Sequence, residues 1–185
     1  MNTGIGGLLA HPARRLTEME TAHKDAWKTQ PMPRETAVLG YSGQFSSEEF
    51  EKISLGLIPK EMEDKWFIYL DGTTLHLHRS WTGICIFEVE FEEIDGKHIV
   101  RRALVNRNQT QYQGTDDAYD SAVLHFLISN LLLGKRVEFP IPSALPKGAP
   151  KGIFQHHISG TAYPEKPVNS NLASGPASRK PWWKF

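Results

Sequence analysis

The chain has 185 residues, 39% hydrophobic and 23% charged, with equal numbers of basic and acidic side chains and a formal net charge of zero. That balance excludes the global basic field that draws a protein to nucleic acid or to an anionic membrane, and the length allows one modest core. A single cysteine excludes an intrachain disulfide, and the apolar stretch at 123–133 falls far short of the ~20 residues that span a bilayer.

With no charged leader ahead of an apolar run, the expectation is a cytoplasmic protein. Residues 1–40 mix Gly, His, Pro and charges without sustained periodicity, apart from a short helical pattern around 14–27, and read as a poorly ordered N-terminal segment. A single α+β domain is expected over 41–139. It opens with Ser46-Ser47-Glu48-Glu49, the spacing of a capping box, which predicts a short helix over 47–55. Phe50, Ile53 and Leu57 supply its apolar side, Gly56 ends it, and Pro59 prevents its restarting.

Next comes a run of alternating segments punctuated by Asp71-Gly72, Trp81-Thr82-Gly83 and Asp95-Gly96, the signature of antiparallel hairpins. Four strands are predicted, at 65–71, 73–79, 84–94 and 97–106. With Asp71-Gly72 as a two-residue turn, Leu70 pairs with Thr73, Ile68 with Leu75 and Trp66 with Leu77, while Phe67, Tyr69, His76 and His78 share the other face. With Asp95-Gly96 as the second turn, Ile94 pairs with Lys97, Phe91 with Val100, Val89 with Arg102 and Phe87 with Leu104. Cys85 then falls on the Phe87 face, and Glu90 meets Arg101 on the opposite one.

After Arg107, Thr115 as cap and Asp116, Asp117 and Asp120 in the first turn predict one long helix at 116–133, closed by Gly134 and Lys135-Arg136. Its apolar residues exceed a single stripe, so it should be covered on more than one side. The expected architecture is a four-stranded antiparallel meander packed against this one long C-terminal helix. Residues 140–185 read as a Pro-rich tail, separable from the fold, whose Arg179-Lys180-Pro181-Trp182-Trp183-Lys184-Phe185 end suits either the protein's own surface or a partner.

The chemistry candidates are few, and no catalytic residue is assigned. His76-x-His78 places two imidazoles on one strand face, but no third ligand has characteristic spacing, so no metal is assigned. Cys85, between Ile84 and Ile86, reads as a small hydrophobe. Asp116, Asp117 and Asp120 complement a helix dipole. The stretch from His78 to Gly83 is richer: Arg79 offers a fork for phosphate, Trp81 an indole for a base, Ser80 and Thr82 hydroxyls, and His78 a hydrogen-bond donor or acceptor. Those five residues form the candidate binding site for a ligand, with a packing role for Trp81 and Arg79 as the competing reading.

Three blocks carry a resemblance. Glu63-Asp64-Lys65-Trp66-Phe67-Ile68-Tyr69, then His78-Arg79-Ser80-Trp81-Thr82-Gly83, then Asp116-Asp117-x-Tyr119-Asp120 with the Leu-rich helix ending at Leu133-Gly134, together resemble a small uncharacterised bacterial domain associated with proteins of ADP-ribose and NAD metabolism. The resemblance spans roughly 60–134 and implies an ADP-ribose-like nucleotide as ligand, with a module that binds or processes it. It transfers no catalytic residues and no cofactor. The alternative, from the residues alone, is a non-catalytic interaction, immunity or regulatory protein that docks a partner or a second copy through its apolar helix and aromatic tail.

Overall fold

The structure, a computed structural model, describes residues 21–61 and 63–141. Its centre is an antiparallel sheet of six strands: β1 (Thr36–Leu39), β2 (Gln44–Ser46), β3 (Trp66–Asp71), β4 (Thr74–Arg79), β5 (Cys85–Ile94) and β6 (Lys97–Asn106). The order is β1-β6-β5-β4-β3, and β2 also pairs with β6. Two α-helices complete it, α1 (Ser47–Leu55) and α2 (Asp117–Leu127).

This corrects the expected four-stranded meander with one long helix on two points. First, β1 and β2 lie end to end along the outer edge of β6: Val38 pairs with Leu104, Phe45 pairs with His98, and between them the Val100 amide donates to the Gly43 carbonyl at 2.9 Å. Strands of four and three residues are too short to show alternation, and they form because the ten-residue β6 presents an open edge that needs covering. Second, the long helix is an eleven-residue α-helix that continues into a π-helical turn, Ile128–Leu132, in which the Leu133 amide reaches back five residues to the Ile128 carbonyl. Asn130 is at the cause. Its side-chain amide takes the Phe126 carbonyl, which its own backbone N–H would occupy in an α-helix, and also bonds both backbone groups of Val137.

The two hairpins differ in how they turn. Asp95 and Gly96 both have positive φ, the requirement of a type I′ turn, and Ile94 pairs with Lys97 as expected. No atom lies within 4 Å of a Cβ built on Gly96, so Gly96→Val should cost only the backbone term, about 1 kcal/mol or more, read as a lower urea midpoint at unchanged slope. In the first hairpin the loop is Gly72-Thr73, not Asp71-Gly72. Leu70 pairs with Leu75, Ile68 with Leu77 and Trp66 with Arg79, a shift of two residues that keeps every side chain on its expected face.

Two β-bulges then alter what the alternation implies. Between Leu77 and His78 the partner on β5 jumps from Phe87 to Cys85, which carries Cys85 to the His78 face, away from Phe87. Between Glu90 and Phe91 the partner on β6 jumps from Arg102 to Val100. Val89 therefore faces Ala103, and Arg102, an awkward member of the expected apolar set, sits exposed opposite Glu90. The expected Glu90–Arg101 ion pair is present at 3.3 Å, exposed and worth little.

The main core fills one sheet face. Trp66, Ile68, Leu75, Leu77, Ile86, Phe87, Val89 and Phe91 form one cluster with Ile53 of α1 and with Val123, Leu124, Phe126 and Leu127 of α2. The capping box sets α1: the Ser46 hydroxyl accepts from the Glu49 amide while the Glu49 carboxylate accepts from the Ser46 amide. Asp116, not Thr115, caps α2, accepting from the amides of Ala118 and Tyr119 at 3.0 Å each. Phe67 and Tyr69 face the other way and pack with Ala22 and Ile58. No helix among the described residues is long and apolar enough to cross a membrane. The Pro-rich tail from Pro142 onward and its aromatic end lie outside the described residues.

Candidate functional site

The connection between β4 and β5 is gripped from outside by a strap, residues 22–30. The Ala22 amide donates to the Leu55 carbonyl, a 3₁₀ turn follows at Lys24–Ala26, and the strap then crosses the β4–β5 turn. There the Trp27 indole N–H donates to the Ser80 carbonyl at 2.7 Å, the Gln30 side chain donates to the Thr82 carbonyl, and the Gln30 amide donates to the Gly83 carbonyl. Gly83 is required twice over, by its φ of 75° and because a Cβ there would stand 2.9 Å from the Lys28 carbonyl oxygen. The close backbone approach that this glycine permits is made by the chain itself.

The five residues expected to line one site are divided among three environments. Arg79 lies on the core side, its guanidinium 4.3 Å above the Trp66 ring, with Tyr112 and Tyr119 close enough to act on its charge. Burial pushes its pKa down, which the two phenols partly oppose. The packing reading therefore describes Arg79, with Trp66 as its stacking partner in place of Trp81. His78 is buried on the opposite face. Its Nδ1 lies 2.9 Å from the Gly83 carbonyl, and burial holds its imidazole below the ordinary value of 6.5. Ser80 is buried, donating its hydroxyl to the Asp64 carbonyl and its amide to the Lys65 carbonyl, so it locks the turn to the chain entering β3. Thr82 is exposed, its hydroxyl accepting from the Ile84 amide.

Trp81 is different, since 58% of its surface is open to solvent. The Lys65 ammonium sits 4.4 Å above its ring. Beside it opens a groove of about 480 Å³ lined by Trp27, Lys28, Lys60, Glu61, Ser80 and Trp81, within the size range of small-molecule sites. Only Ser80 and Trp81 of the five expected residues reach it. Its other members come from segments that sequence reasoning left out, the strap and the loop after Pro59. A signal existed in the strap: Trp27 flanked by Lys24 and Lys28 repeats the aromatic-among-cations pattern seen at the C-terminus. Opposite charge also lines the groove, where the Asp64 carboxylate accepts from the backbone amides of Lys60 and Glu61.

The other face holds a second group. Donor atoms of His76, His78 and Cys85, one from each, lie within 4.8 Å of one another, and the half-buried Glu88 carboxylate is 3.1 Å from His76 Nδ1. Tyr69 stacks on both imidazoles, with ring centroids 4.9 and 5.5 Å apart. This is the arrangement among the described residues with metal-ligand chemistry. Compared with known proteins, the chain matches no family model, no curated protein and no solved structure.

Proposed function

We propose that the protein is a nucleotide-binding module whose ligand lies in the groove between the strap and the β4–β5 turn, with Trp81 stacking on the base. The observation that carries this reading is the half-exposed indole of Trp81, held in place by Lys65 at the lip of a groove that also presents Lys28 and Lys60. A large aromatic left in water beside several cations fits a ligand with a flat ring and negative charge. The Glu61 carboxylate suits sugar hydroxyls as an acceptor. The choice of ADP-ribose among nucleotides rests on the sequence resemblance to a domain of ADP-ribose and NAD metabolism, and binding is proposed without a reaction. Docking of a partner on α2 has less support, because Val123, Phe126 and Leu127 are already buried by the chain's own sheet.

In this reading Arg79 has no part in the site. Calorimetric titration with ADP-ribose, ADP and AMP should show Trp81→Ala weakening binding about 5- to 150-fold, as expected from ~1–3 kcal/mol per stacked base, with an unchanged melting temperature. Arg79→Ala should do the reverse, lowering stability by ~1–2 kcal/mol through lost contact with Trp66 while affinity stays the same. Equal nucleotide affinity in wild type and Trp81→Ala, or no binding by any of the three ligands, would overturn the proposal.

A further inference from the structure

We propose that His76, His78 and Cys85 form a binding site for a divalent transition-metal ion of the zinc class, with Glu88 as the residue that orients His76. The site stands on the opposite sheet face from the main core and is separate from the groove beside Trp81.

Four observations carry it. One donor atom from each of the three side chains already lies within 4.8 Å of the others. Ligands of a tetrahedral ion with bonds of ~2.0–2.3 Å stand about 3.5 Å apart, so a side-chain adjustment of about 1 Å closes the site. The second observation is the orphaned nitrogen of His78. Its Nδ1 is engaged with the Gly83 carbonyl, which requires the proton on Nδ1 and leaves a lone pair on Nε2, and that Nε2 is buried without a hydrogen-bond partner. A buried acceptor with nothing to accept is costly, and a metal ion is the occupant that turns this cost into binding. Third, His76 is held in a related way, its Nδ1 3.1 Å from the Glu88 carboxylate, and the proton on that nitrogen leaves the Nε2 lone pair for the ion. Imidazoles fixed through one nitrogen by a carbonyl or a carboxylate are the usual outer-shell arrangement of metal-binding histidines.

The fourth observation is topological. Regular alternation would have put Cys85 on the Phe87 side, and the bulge between Leu77 and His78 is what brings its thiol to the two imidazoles. Bulges commonly re-aim a side chain in this way. The donor set of two imidazoles and a sulfur selects zinc-class ions over calcium or magnesium, which take oxygen. His78 and Cys85 form the closed floor, while His76 and Glu88, with about a fifth of their side chains exposed, leave an access route on which a water completes the fourth position. Binding breaks the Cys85 S–H bond and forms a metal–sulfur bond, with the proton released to solvent and no change in oxidation state.

The test uses the reduced full-length chain, stripped of metal by chelation and titrated with cobalt(II) chloride as a spectroscopic probe. The expected result is one cobalt per chain, with the visible bands of a tetrahedral site and a thiolate-to-cobalt charge-transfer band, all bleached by zinc. Cys85→Ser should lose the charge-transfer band. His76→Gln, at a partly exposed position where folding is readily checked by circular dichroism, should bind cobalt at least about tenfold more weakly. Glu88→Gln should keep the band and weaken binding by about 10–100-fold, the effect of an outer-shell partner. Absence of the charge-transfer band in the wild-type chain, its persistence in Cys85→Ser, or wild-type affinity in a folded His76→Gln would each overturn the proposal.

Discussion

Asp120→Ala should lower the unfolding free energy by about 3 kcal/mol, the low end of the cost of breaking a buried charge pair. Asp120 has no exposed surface. One of its carboxylate oxygens lies 2.7 Å from Arg107 Nη1, and the other accepts from the Tyr112 hydroxyl. This network ties the first turn of α2 to the end of β6 and to the loop between them. Burial, and then the Asp120 carboxylate, pushes the Tyr112 phenol well above its ordinary range, so it remains a donor. Truncation leaves that hydroxyl unpaired, but Arg107 keeps Asp117 and the Gly114 carbonyl, which is why the low end of the range applies. Asp117→Ala is the control. Its side chain is more than half exposed, and losing it should cost under about 1 kcal/mol. Urea melts of the two variants check both values, and equal effects would mean that burial of the pair does not matter.

The second large effect is expected at Gly56. This residue ends α1 with φ of 66°, and its amide donates to the Ile53 carbonyl at 3.1 Å. A Cβ there would stand 2.3 Å from the Ile68 carbonyl oxygen and 2.8 Å from the Ala22 methyl. The oxygen belongs to backbone, held by the reciprocal Leu57–Ile68 bridge at 2.8 and 2.9 Å, and cannot swing aside. Gly56→Ala therefore combines a backbone cost of ~1–3 kcal/mol, because φ 66° with ψ −156° is a conformation open essentially to glycine alone, with an overpacking cost that brings the total to about 3 kcal/mol or more. Because Ala22 starts the strap, the same variant should also speed amide exchange across 22–30. Gly72→Ala, at positive φ with open space around it, should cost only its own backbone term of about 1 kcal/mol.

The fold is legible in the sequence where a few neighbouring residues decide the outcome. The capping box at Ser46, the Asp95-Gly96 turn and the placing of Trp66, Ile68, Phe87 and Phe91 on the α2 face all follow from spacing within one or two elements. What was not legible depends on partners distant in the chain. β1 and β2 exist because β6 is long enough to pair with both, and nothing in Thr-Ala-Val-Leu or Gln-Phe-Ser announces a strand. Bulges leave no mark in a hydrophobic pattern, yet one of them moves Cys85 to the face of the histidines.

Register also decides what Arg79 touches. Moving the first turn from Asp71-Gly72 to Gly72-Thr73 shifts the pairing by two residues and leaves every face intact, but it sets Arg79 opposite Trp66 instead of beyond the end of β3. The guanidinium then stands over the Trp66 ring, 4.3 Å from its centroid, on the core side of the sheet. The groove is not legible for a related reason: its Trp27 and Lys28 wall is brought to Trp81 by three hydrogen bonds from the strap to the turn, across more than fifty residues of chain.

The proposed nucleotide groove is tested most directly by following the indole N–H resonances of the full-length chain in ¹H–¹⁵N spectra during titration with ADP-ribose, assigned by single Trp→Phe variants. Trp81 and Trp27 should shift together, with the Lys28 and Lys60 amides, while Trp66 beneath Arg79 stays in place. Saturable shifts at Trp66 with Trp81 and Trp27 unmoved, or no saturable shift at any indole, would contradict the account.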